Sequence, residues 1–319
     1  MTKILYYCGH EQFQPEELVK HSVLAEKYGF DGIIISEHFH PWVSDKGSAG
    51  FTFSTLGAIA ASTTKIELIT GVVTPLFRYH PAIIAQASAT IDRLSNGRFS
   101  LGVGSGESIN ETPLGINFPP YKERSERMIE ALEVMKRLLL GEKLSYDGKY
   151  YTLKNAKLYS PPISDIPILL AASGEKSISI ANQYADGLIT SVKNVEDIKN
   201  NIENSKKLNK IILSTMWTIY AKNKDEAWNA LLPWRGLRVP SRDIATDPLE
   251  LQKEADLMDR DEIISKYKIV SSPKEYIDAY SPLITTLHSD YIAIQTTGEN
   301  QEDIIKMLGE EVLPYLRTL

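Results

Sequence analysis

The sequence predicts a (β/α)8 barrel, in which eight parallel strands alternate with helices. The chain of 319 residues contains short apolar stretches separated by amphipathic ones, a pattern typical of a parallel sheet covered by helices on both faces. Eight such strand–helix units over about 300 residues suit one closed barrel better than an open sheet. No linker, low-complexity segment or short-period repeat divides the chain, so we expect a single domain over residues 1–319.

The first half of the chain contains four predicted strands, and a helix follows each of them. Helix ends are expected near Tyr28-Gly29 and Asn96-Gly97, because glycine commonly terminates helices. The four strands are predicted at residues 3–9, 31–38, 66–74 and 98–106. The helices are predicted at 18–28, within 52–62, at 82–95 and at 122–140.

The second half repeats this alternation with two departures. Residues 143–153 (KLSYDGKYYTL) predict a β-hairpin that turns at Asp147-Gly148. Residues 222–272 are too long for one crossover and predict a mostly helical insertion before the last strand. The remaining strands are predicted at residues 166–173, 186–192, 210–221 and 289–297, before a closing helix at 304–316.

Composition excludes several classes of protein. A formal net charge of −6 argues against a protein dedicated to nucleic acids, although a local cationic pocket is compatible with it. The single cysteine, Cys8, excludes an intrachain disulfide and suits a reducing compartment. The N-terminus shows no signal-peptide pattern, and no apolar run reaches the ~18 residues of a membrane span. We therefore expect a cytoplasmic protein.

Polar residues collect at the C-terminal ends of the predicted strands. Barrel enzymes carry their chemistry at these ends, so we expect one functional site there. Its predicted members are Glu11, Glu37, His38, His40, Thr74, Glu107, Ser173, Gly174 and Lys193.

The stretch SEHFHPW, residues 36–42, admits a metal site, because His38 and His40 share a strand face. Such a site needs further ligands from other strand ends. No histidine follows the fifth or sixth strand, so we expect no metal centre. For His40, a surface or structural role is as well supported by the sequence as a role in the functional site.

The stretch GVGSGESINE, residues 102–111, only partly matches a dinucleotide fingerprint. G-x-G-x-x-G requires a glycine at position 107, where this chain has Glu107, and a carboxylate there would repel a pyrophosphate. A Rossmann-type site is therefore not expected. A tight turn is the plainer interpretation of the glycines, but a glutamate within a glycine-rich loop at a strand end favours a function.

Two further stretches have both a structural and a functional interpretation. GVVTPLFRYHP, residues 71–81, contains Arg78 in a loop that is structural on the simpler view. AASGEKS, residues 171–177, leads into the N-terminus of a helix, which favours an anion; an ordinary serine cap is the alternative.

Taken together, these stretches resemble the coenzyme F420-dependent glucose-6-phosphate dehydrogenases of the luciferase-like (β/α)8 superfamily. The resemblance runs from Glu11 to the C-terminal helix and includes the insertion. It implies a homodimeric F420-dependent oxidoreductase that acts on a CH–OH group of a sugar phosphate or a related hydroxyl compound. The matching stretches are SEHFHPW, TGVVTPLFRYHPAIIAQASAT, GRFSLGVGSGESINE, TDPLELQKEAD and SKYKIVSSP.

The resemblance also implies catalytic roles for His38, Trp42, Glu107 and Glu11. In that family the anomeric carbon of the sugar gives a hydride to C5 of the deazaflavin, and the hydroxyl loses a proton. His38 would be the base or would stabilise the transferring state. Glu107 would protonate or hydrogen-bond the N1 side of the cofactor, and Trp42 would keep water out. Glu11 matches the supporting glutamate.

The resemblance assigns further residues to the cofactor. Glu37 stands where the family has an aspartate near the deazaflavin. Gly71 and Val72 stand where the family has a non-proline cis peptide that supports the ring. The residues that would hold the ring and its phosphate-bearing tail are Thr74, Asn110, Ser173 and Gly174.

The match is weaker at the substrate phosphate, where the family uses three cations. Lys193 matches the first, and Arg242 replaces a lysine. Tyr267 replaces an arginine and supplies no charge, although Lys266 and Lys268 flank it. Phosphate would still bind if a neighbouring lysine turned inward. The alternatives to glucose 6-phosphate are another sugar phosphate and an unphosphorylated alcohol.

Other functions remain open from the sequence. An FMN-dependent luciferase-like monooxygenase would have the same fold with a different flavin. A non-catalytic barrel that binds a flavin or a sugar phosphate is a second alternative, and a metal-dependent hydrolase is a third. The occurrence of His38, Trp42, Glu107 and Glu11 together favours the F420-dependent enzyme.

Overall fold

The computed structural model describes residues 1–319 and contains a closed barrel of parallel strands, which confirms the predicted (β/α)8 fold. Around the barrel the order is β1-β2-β3-β4-β7-β8-β9-β11, and β11 pairs again with β1. These strands are β1 Lys3–Cys8, β2 Gly32–Ile35, β3 Glu67–Thr70, β4 Phe99–Val103, β7 Ile168–Ala171, β8 Gly187–Ser191, β9 Ile211–Tyr220 and β11 Tyr291–Thr297.

Helices surround the barrel and cover its outer face. They are α1 Pro15–Lys27, α2 Thr52–Ser62, α3 Pro81–Leu94, α4 Ser108–Glu111, α5 Tyr121–Leu139, α6 Glu175–Tyr184, α7 Val195–Lys207, α8 Lys224–Leu231, α9 Pro248–Leu257, α10 Arg260–Ser265, α11 Pro273–Thr285, α12 Gln301–Met307 and α13 Leu313–Leu316. Shorter helical turns occupy Thr112–Leu114, Leu232–Arg238, Pro240–Asp243 and Leu308–Val312. None of these helices has both the length and the apolar character that crossing a bilayer requires.

Side chains alternate between the barrel interior and the helical layer, because successive residues of a strand point to opposite faces. In β2, Ile34 belongs to the interior cluster, whereas Ile33 and Ile35 pack in the outer core. The interior cluster consists of Leu5, Ile34, Ile69, Leu169, Ile189, Leu213 and Ala293. From β4 the corresponding residue is Gly102, which pairs with Leu169. A Cβ there would lie 1.9 Å from the carbonyl oxygen of Thr70, so glycine lets β3 and β4 approach closely.

The observed strands are shorter than the predicted ones, and three of them end at least three residues before the predicted end. Strand β2 ends at Ile35, β3 at Thr70 and β4 at Val103. The predicted ranges of β3 and β4 continued into the following loops because those two loops are themselves apolar or glycine-rich. The consequence is functional, since His38, Thr74 and Glu107 lie on loops beyond the strand ends.

The predicted hairpin is present as β5 (Leu144–Asp147) and β6 (Thr152–Ala156). Residues 222–272 contain helices α8 to α10 and also one strand that the sequence did not reveal, β10 (Lys268–Val270). Strand β9 has ten residues, and β10 pairs with its last three positions. This part of the chain shares an apolar cluster with the barrel, in which Trp234 and Tyr267 belong with Trp217 of β9 and Trp42 of the loop after β2. Residues 222–272 therefore pack against the C-terminal end of the barrel.

Candidate active site

A cavity of about 1140 Å³ opens at the C-terminal ends of the barrel strands. Drug-sized ligands occupy pockets of about 300–1000 Å³, so this cavity has room for a cofactor and a small substrate together. Most of the predicted site residues lie on its wall. These are Glu11, Glu37, His38, Trp42, Gly71, Val72, Thr74, Glu107, Asn110, Lys193, Arg242 and Lys266.

Four predicted residues do not line the cavity: His40, Ser173, Gly174 and Tyr267. The Ser173 hydroxyl lies 3.1 Å from that of Thr190, and Gly174 precedes α6 as its N-cap. Tyr267 is buried in the cluster of residues 222–272, with its ring 5.0 Å from the ring of Trp217. Its hydroxyl donates to the backbone carbonyl of Trp234 over 3.4 Å. The Tyr267 hydroxyl therefore forms its hydrogen bond within the protein and does not line the cavity.

His38 is the centre of the polar cluster. Its Nε2 lies 3.2 Å from Oε1 of Glu11 and 3.7 Å from Oε2 of Glu107. Its Nδ1 lies 3.0 Å from the backbone carbonyl oxygen of His40. Nδ1 also lies 3.2 Å from Nδ2 of Asn110, which only donates, so its two contacts favour opposite tautomers of the ring. Nε2 lies between two carboxylates on the cavity wall, so a proton that Nε2 accepts there is stabilised by both negative charges.

Asn110 fixes the loop that carries His38. Its Oδ1 accepts from the backbone N–H groups of Phe39 at 2.8 Å and His40 at 3.2 Å. Its Nδ2 donates to Glu107 over 3.3 Å. Asn110 lies in α4, so it ties the loop after β2 to the loop after β4 and sets His38 relative to Glu107.

Glu11 is supported by a buried polar chain that the sequence did not single out. Its carboxylate accepts from the Ser36 hydroxyl, which accepts in turn from the backbone N–H of His10 at 2.9 Å. The His10 ring contacts the Ser36 carbonyl at 2.8 Å and the Thr55 hydroxyl at 3.0 Å. Burial lowers the pKa of His10, which favours its neutral form. No sequence motif marked His10, because a fully buried histidine resembles any other core position.

Glu107 pairs with Arg242, which comes from the turn Pro240–Asp243. The Arg242 guanidinium also lies 2.7 Å from the Asp243 carboxylate and 5.1 Å from the centre of the Trp42 ring. Burial lowers the pKa of Arg242, but the carboxylates of Glu107 and Asp243 offset this, so its pKa is raised overall. Residues 222–272 thus place a cation directly against Glu107.

Arg78, for which the sequence allowed either a structural or a functional role, lies between two buried carboxylates. It pairs with Glu37 and, at 2.6 Å, with Glu111. The hydroxyl of Tyr79 also donates to Glu37 over 3.2 Å. Burial raises the pKa of Glu111 to about 7; Arg78 opposes this shift and Glu37 adds to it. This ion network joins the loops after β2, β3 and β4.

One strip of the cavity wall carries only glycines and small side chains, and we call it the flat strip. The peptide bond between Gly71 and Val72 is cis, as the resemblance implied. A Cβ at position 71 would lie 2.4 Å from Cγ1 of Ile34, so only glycine fits there. The strip has no side chain larger than valine and therefore fits a planar polycyclic ring. It consists of Gly71, Val72, Gly104, Ser105, Gly106 and Ala171.

Sequence reasoning missed an aromatic wall. Trp217 and Trp234 line the cavity with ring centres 4.4 Å apart. Trp42 lies nearby, 4.9 Å from the His38 ring. Trp217 lies within the length of β9, and Trp234 lies in the turn after α8. In the sequence, a tryptophan at either position resembles an ordinary core residue. Arg124 and Arg238 also line the cavity and were missed.

The two histidines of SEHFHPW diverge in the structure. His38 faces Glu11 and Glu107, whereas the His40 ring stacks on Phe39 at 5.0 Å. No group of three or more histidine, cysteine or acidic side chains is placed to hold a metal ion.

The barrel with this site defines a luciferase-like protein. The model of the luciferase-like monooxygenase family matches residues 2–282, most of the chain. The chain therefore belongs to this family.

Its relatives are more specific. The F420-dependent glucose-6-phosphate dehydrogenase of Nakamurella multipartita is 33% identical over 327 residues, covering 98% of this chain and 96% of the relative. The enzyme of the same name from Beutenbergia cavernae is 34% identical over 330 residues, covering 99% and 98%. Among solved structures, an F420-dependent secondary alcohol dehydrogenase in complex with an F420-acetone adduct matches with a TM-score of 0.89 and 29% identity, covering 99% of both chains. The resemblance drawn from the sequence is confirmed.

Proposed function

We propose that this chain is an F420-dependent oxidoreductase that acts on the CH–OH group of a small hydroxyl substrate. The observation that carries the proposal is one cavity whose wall combines the His38–Glu11–Glu107 cluster with a flat, glycine-rich strip. The relatives support it, because both enzymes above and the solved alcohol dehydrogenase are named as F420-dependent dehydrogenases.

Residues on several loops would hold the cofactor. Gly71 and Val72 belong to the flat strip, and Glu37, Thr74 and Asn110 lie on the same cavity wall. We assign the phosphate-bearing tail to Ser173 and Gly174, because the N-terminus of α6 favours an anion. When bound, coenzyme F420 supplies a hydride acceptor at C5 of its deazaflavin ring.

The chain supplies the groups that move protons. His38 takes the hydroxyl proton of the substrate at Nε2, and the carboxylate of Glu11 stabilises the resulting imidazolium. Glu107 donates a proton or a hydrogen bond on the N1 side of the cofactor. Trp42 packs against the His38 ring and keeps water from the reacting centre.

For a sugar phosphate, the candidate phosphate ligands are Lys193, Arg242 and Lys266, with Tyr267 beside them. A second candidate substrate is an unphosphorylated secondary alcohol, and two observations favour it. Arg242 and Lys266 are already paired, with Glu107 and Glu262. Trp42, Trp217 and Trp234 form an apolar wall that suits an uncharged substrate.

A binding and turnover experiment tests the function. The purified apoprotein is titrated with F420 and with FMN, and glucose 6-phosphate or a secondary alcohol is then added anaerobically. We expect F420 to bind and its deazaflavin absorbance to bleach with one of the two substrates. Tight FMN binding without affinity for F420 would instead identify the monooxygenase alternative.

We further propose that the whole chain works as one domain, with residues 222–272 as an insertion, in a cytoplasmic homodimer. The full-length match to the relatives supports a single unit. Light scattering on the purified protein should give twice the mass of the chain. A single cooperative unfolding transition would fit one domain, and two separate transitions would contradict it.

A further inference from the structure

Three neighbouring strands of the barrel present side chains with hydrogen-bonding groups to the cavity at one level. Trp217 of β9 and Gln295 of β11 are paired in register. On the other side of β11, Tyr6 of β1 is paired with Ile294, so Tyr7, the next residue, stands level with Gln295. Tyr7, Gln295 and Trp217 all line the cavity, and Tyr7 also packs against the apolar interior cluster of the barrel. These three residues, which we call the floor row, therefore lie at the bottom of the cavity.

Two members of the floor row carry hydrogen-bonding groups that the protein itself does not use. The indole Nε1 of Trp217 is buried and has no hydrogen-bond partner. The side-chain amide of Gln295 forms no hydrogen bond either, whereas its backbone carbonyl accepts from Thr218 and Tyr280. A buried indole N–H usually has a partner, and leaving it without one is costly. A ligand at the bottom of the cavity would supply the missing partners.

The floor row carries no charge. Burial raises the pKa of Tyr7, and the negative charges of Glu11 and Glu107 add to this shift, so the phenol keeps its proton at neutral pH. A ligand therefore meets a hydroxyl, an amide and an indole N–H, which together donate and accept hydrogen bonds. The same two carboxylates disfavour an anion near Tyr7. The row thus suits a neutral group that both donates and accepts, and a hydroxyl is such a group.

We propose that the floor row binds a second hydroxyl group of the substrate, so that the preferred substrate is a polyhydroxylated compound and not an alcohol with a single hydroxyl. This inference rests on the proposed function and names the class of alcohol. The hydroxyl that is oxidised faces His38, which Glu11 and Glu107 flank. Because these two carboxylates also act on Tyr7, the floor row lies close to the same reacting centre.

Cyclohexanol and myo-inositol test the proposal. They share one carbon ring, and inositol carries a hydroxyl on every ring carbon, so the comparison does not depend on the spacing of the hydroxyls. Binding of each compound to the full chain is measured by tryptophan fluorescence without cofactor, and kcat/KM is measured anaerobically with F420. We expect inositol to be preferred at least about tenfold, since a site built to hydrogen-bond a hydroxyl rejects an analogue that lacks it.

Two variants remove single groups from the floor row. Tyr7→Phe removes only the hydroxyl, and Gln295→Leu removes only the amide. Each should reduce the preference for inositol at least about fivefold, the effect of losing one hydrogen bond. Tyr159→Phe is the matched control, because Tyr159 is exposed and does not line the cavity, and it should leave the preference unchanged. Thermal unfolding of each variant verifies that it is folded.

The outcomes separate this proposal from the proposed function. Equal affinity of the wild type for the two compounds would overturn the proposal, and so would a wild-type preference in both Tyr7→Phe and Gln295→Leu. A raised Kd for F420 in both variants, with the preference unchanged, would assign the floor row to the cofactor ring and overturn the proposal as well. Absence of turnover with F420 counts against the proposed function alone, since the fluorescence titration needs no cofactor.

Discussion

At the scale of single residues, the proposed chemistry depends on one imidazole between two carboxylates. Glu11 is almost fully buried, whereas about a third of the Glu107 side chain is exposed. The buried acid is suited to stabilise a charge on His38, and the exposed acid is suited to exchange protons with a ligand. The two glutamates thus differ in role because they differ in surroundings.

Removal of the imidazole should separate chemistry from binding. We expect His38→Ala to lower turnover about 100- to 10,000-fold, the usual range for losing a general base. The affinity for F420 should change little, because the flat strip and Glu37 are intact. Steady-state kinetics and an F420 titration measure the two effects. His40→Ala is the control, and an equal loss of turnover there would contradict the assignment.

Glu111 should give the stability a pH dependence. Its pKa is about 7 in the folded protein, above its ordinary value of 4.5, so the folded state binds more protons between these values. This extra proton binding stabilises the folded state at low pH by an amount on the order of 3 kcal/mol. The free energy of unfolding loses that stabilisation as the pH rises through 7. Urea unfolding from pH 5 to 8 should show a smaller decline for Glu111→Gln than for the wild type.

The smaller decline in stability with pH should be specific to Glu111→Gln, and a second variant serves as the control. Glu126→Gln, an exposed position on α5, should decline like the wild type. Parallel pH curves for Glu111→Gln and the wild type would show that Glu111 does not titrate in this range.

The sequence allowed prediction of those site residues whose amino-acid type is unusual for their position in the fold. A glutamate in a glycine-rich loop, such as Glu107, and a histidine at a strand end, such as His38, both carry that signal. Trp217 and Arg238 carry none, because an aromatic residue within a strand and an arginine in a helical segment are both ordinary. Their place on the cavity wall depends on which way their side chains face, and only the packing decides this.

At the scale of elements, the site depends on how closely neighbouring strands and loops approach. Arg78 holds the loops after β2, β3 and β4 together through Glu37 and Glu111. Asn110 adds hydrogen bonds between two of the same loops. The position of the polar cluster is therefore a property of three strand–helix units at once.

Gly102 offers a test of this close approach. A Cβ there would meet the backbone carbonyl of Thr70 at 1.9 Å, so Gly102→Ala must separate β3 from β4. We expect a loss of at least about 1–3 kcal/mol in the free energy of unfolding, measured with urea. Gly57→Ala is the control: its nearest atom is 4.0 Å away, and alanine favours a helix by about 1 kcal/mol. Equal stability of the two variants would contradict the explanation.

The strand–helix alternation could be predicted because buried parallel strands and amphipathic helices have different periodicities. The strand ends could not, because the loops after β3 and β4 continue the apolar or glycine-rich composition of the strands. Strand β10 was also hidden, since three residues are too few to show a periodicity. It forms only because β9 extends far enough to pair with it.

At the scale of the whole molecule, the eight units place separate stretches of chain around one cavity. Ligand binding should therefore stabilise the whole fold. F420 at 100 times its Kd should add about 2.7 kcal/mol to the free energy of unfolding. A thermal-shift series with F420, and with FMN at equal concentration, measures this. A shift with FMN alone would contradict the cofactor assignment.

The packing of residues 222–272 against the barrel has a consequence for descent. Loops of the barrel itself carry the proposed base and the flat strip, whereas Trp234, Arg238, Arg242 and Lys266 all come from this one stretch. Mutations confined to this one segment can therefore change these four cavity-lining residues while His38 and the flat strip stay unchanged. We expect changes of this kind to produce relatives that share a cofactor and differ in substrate.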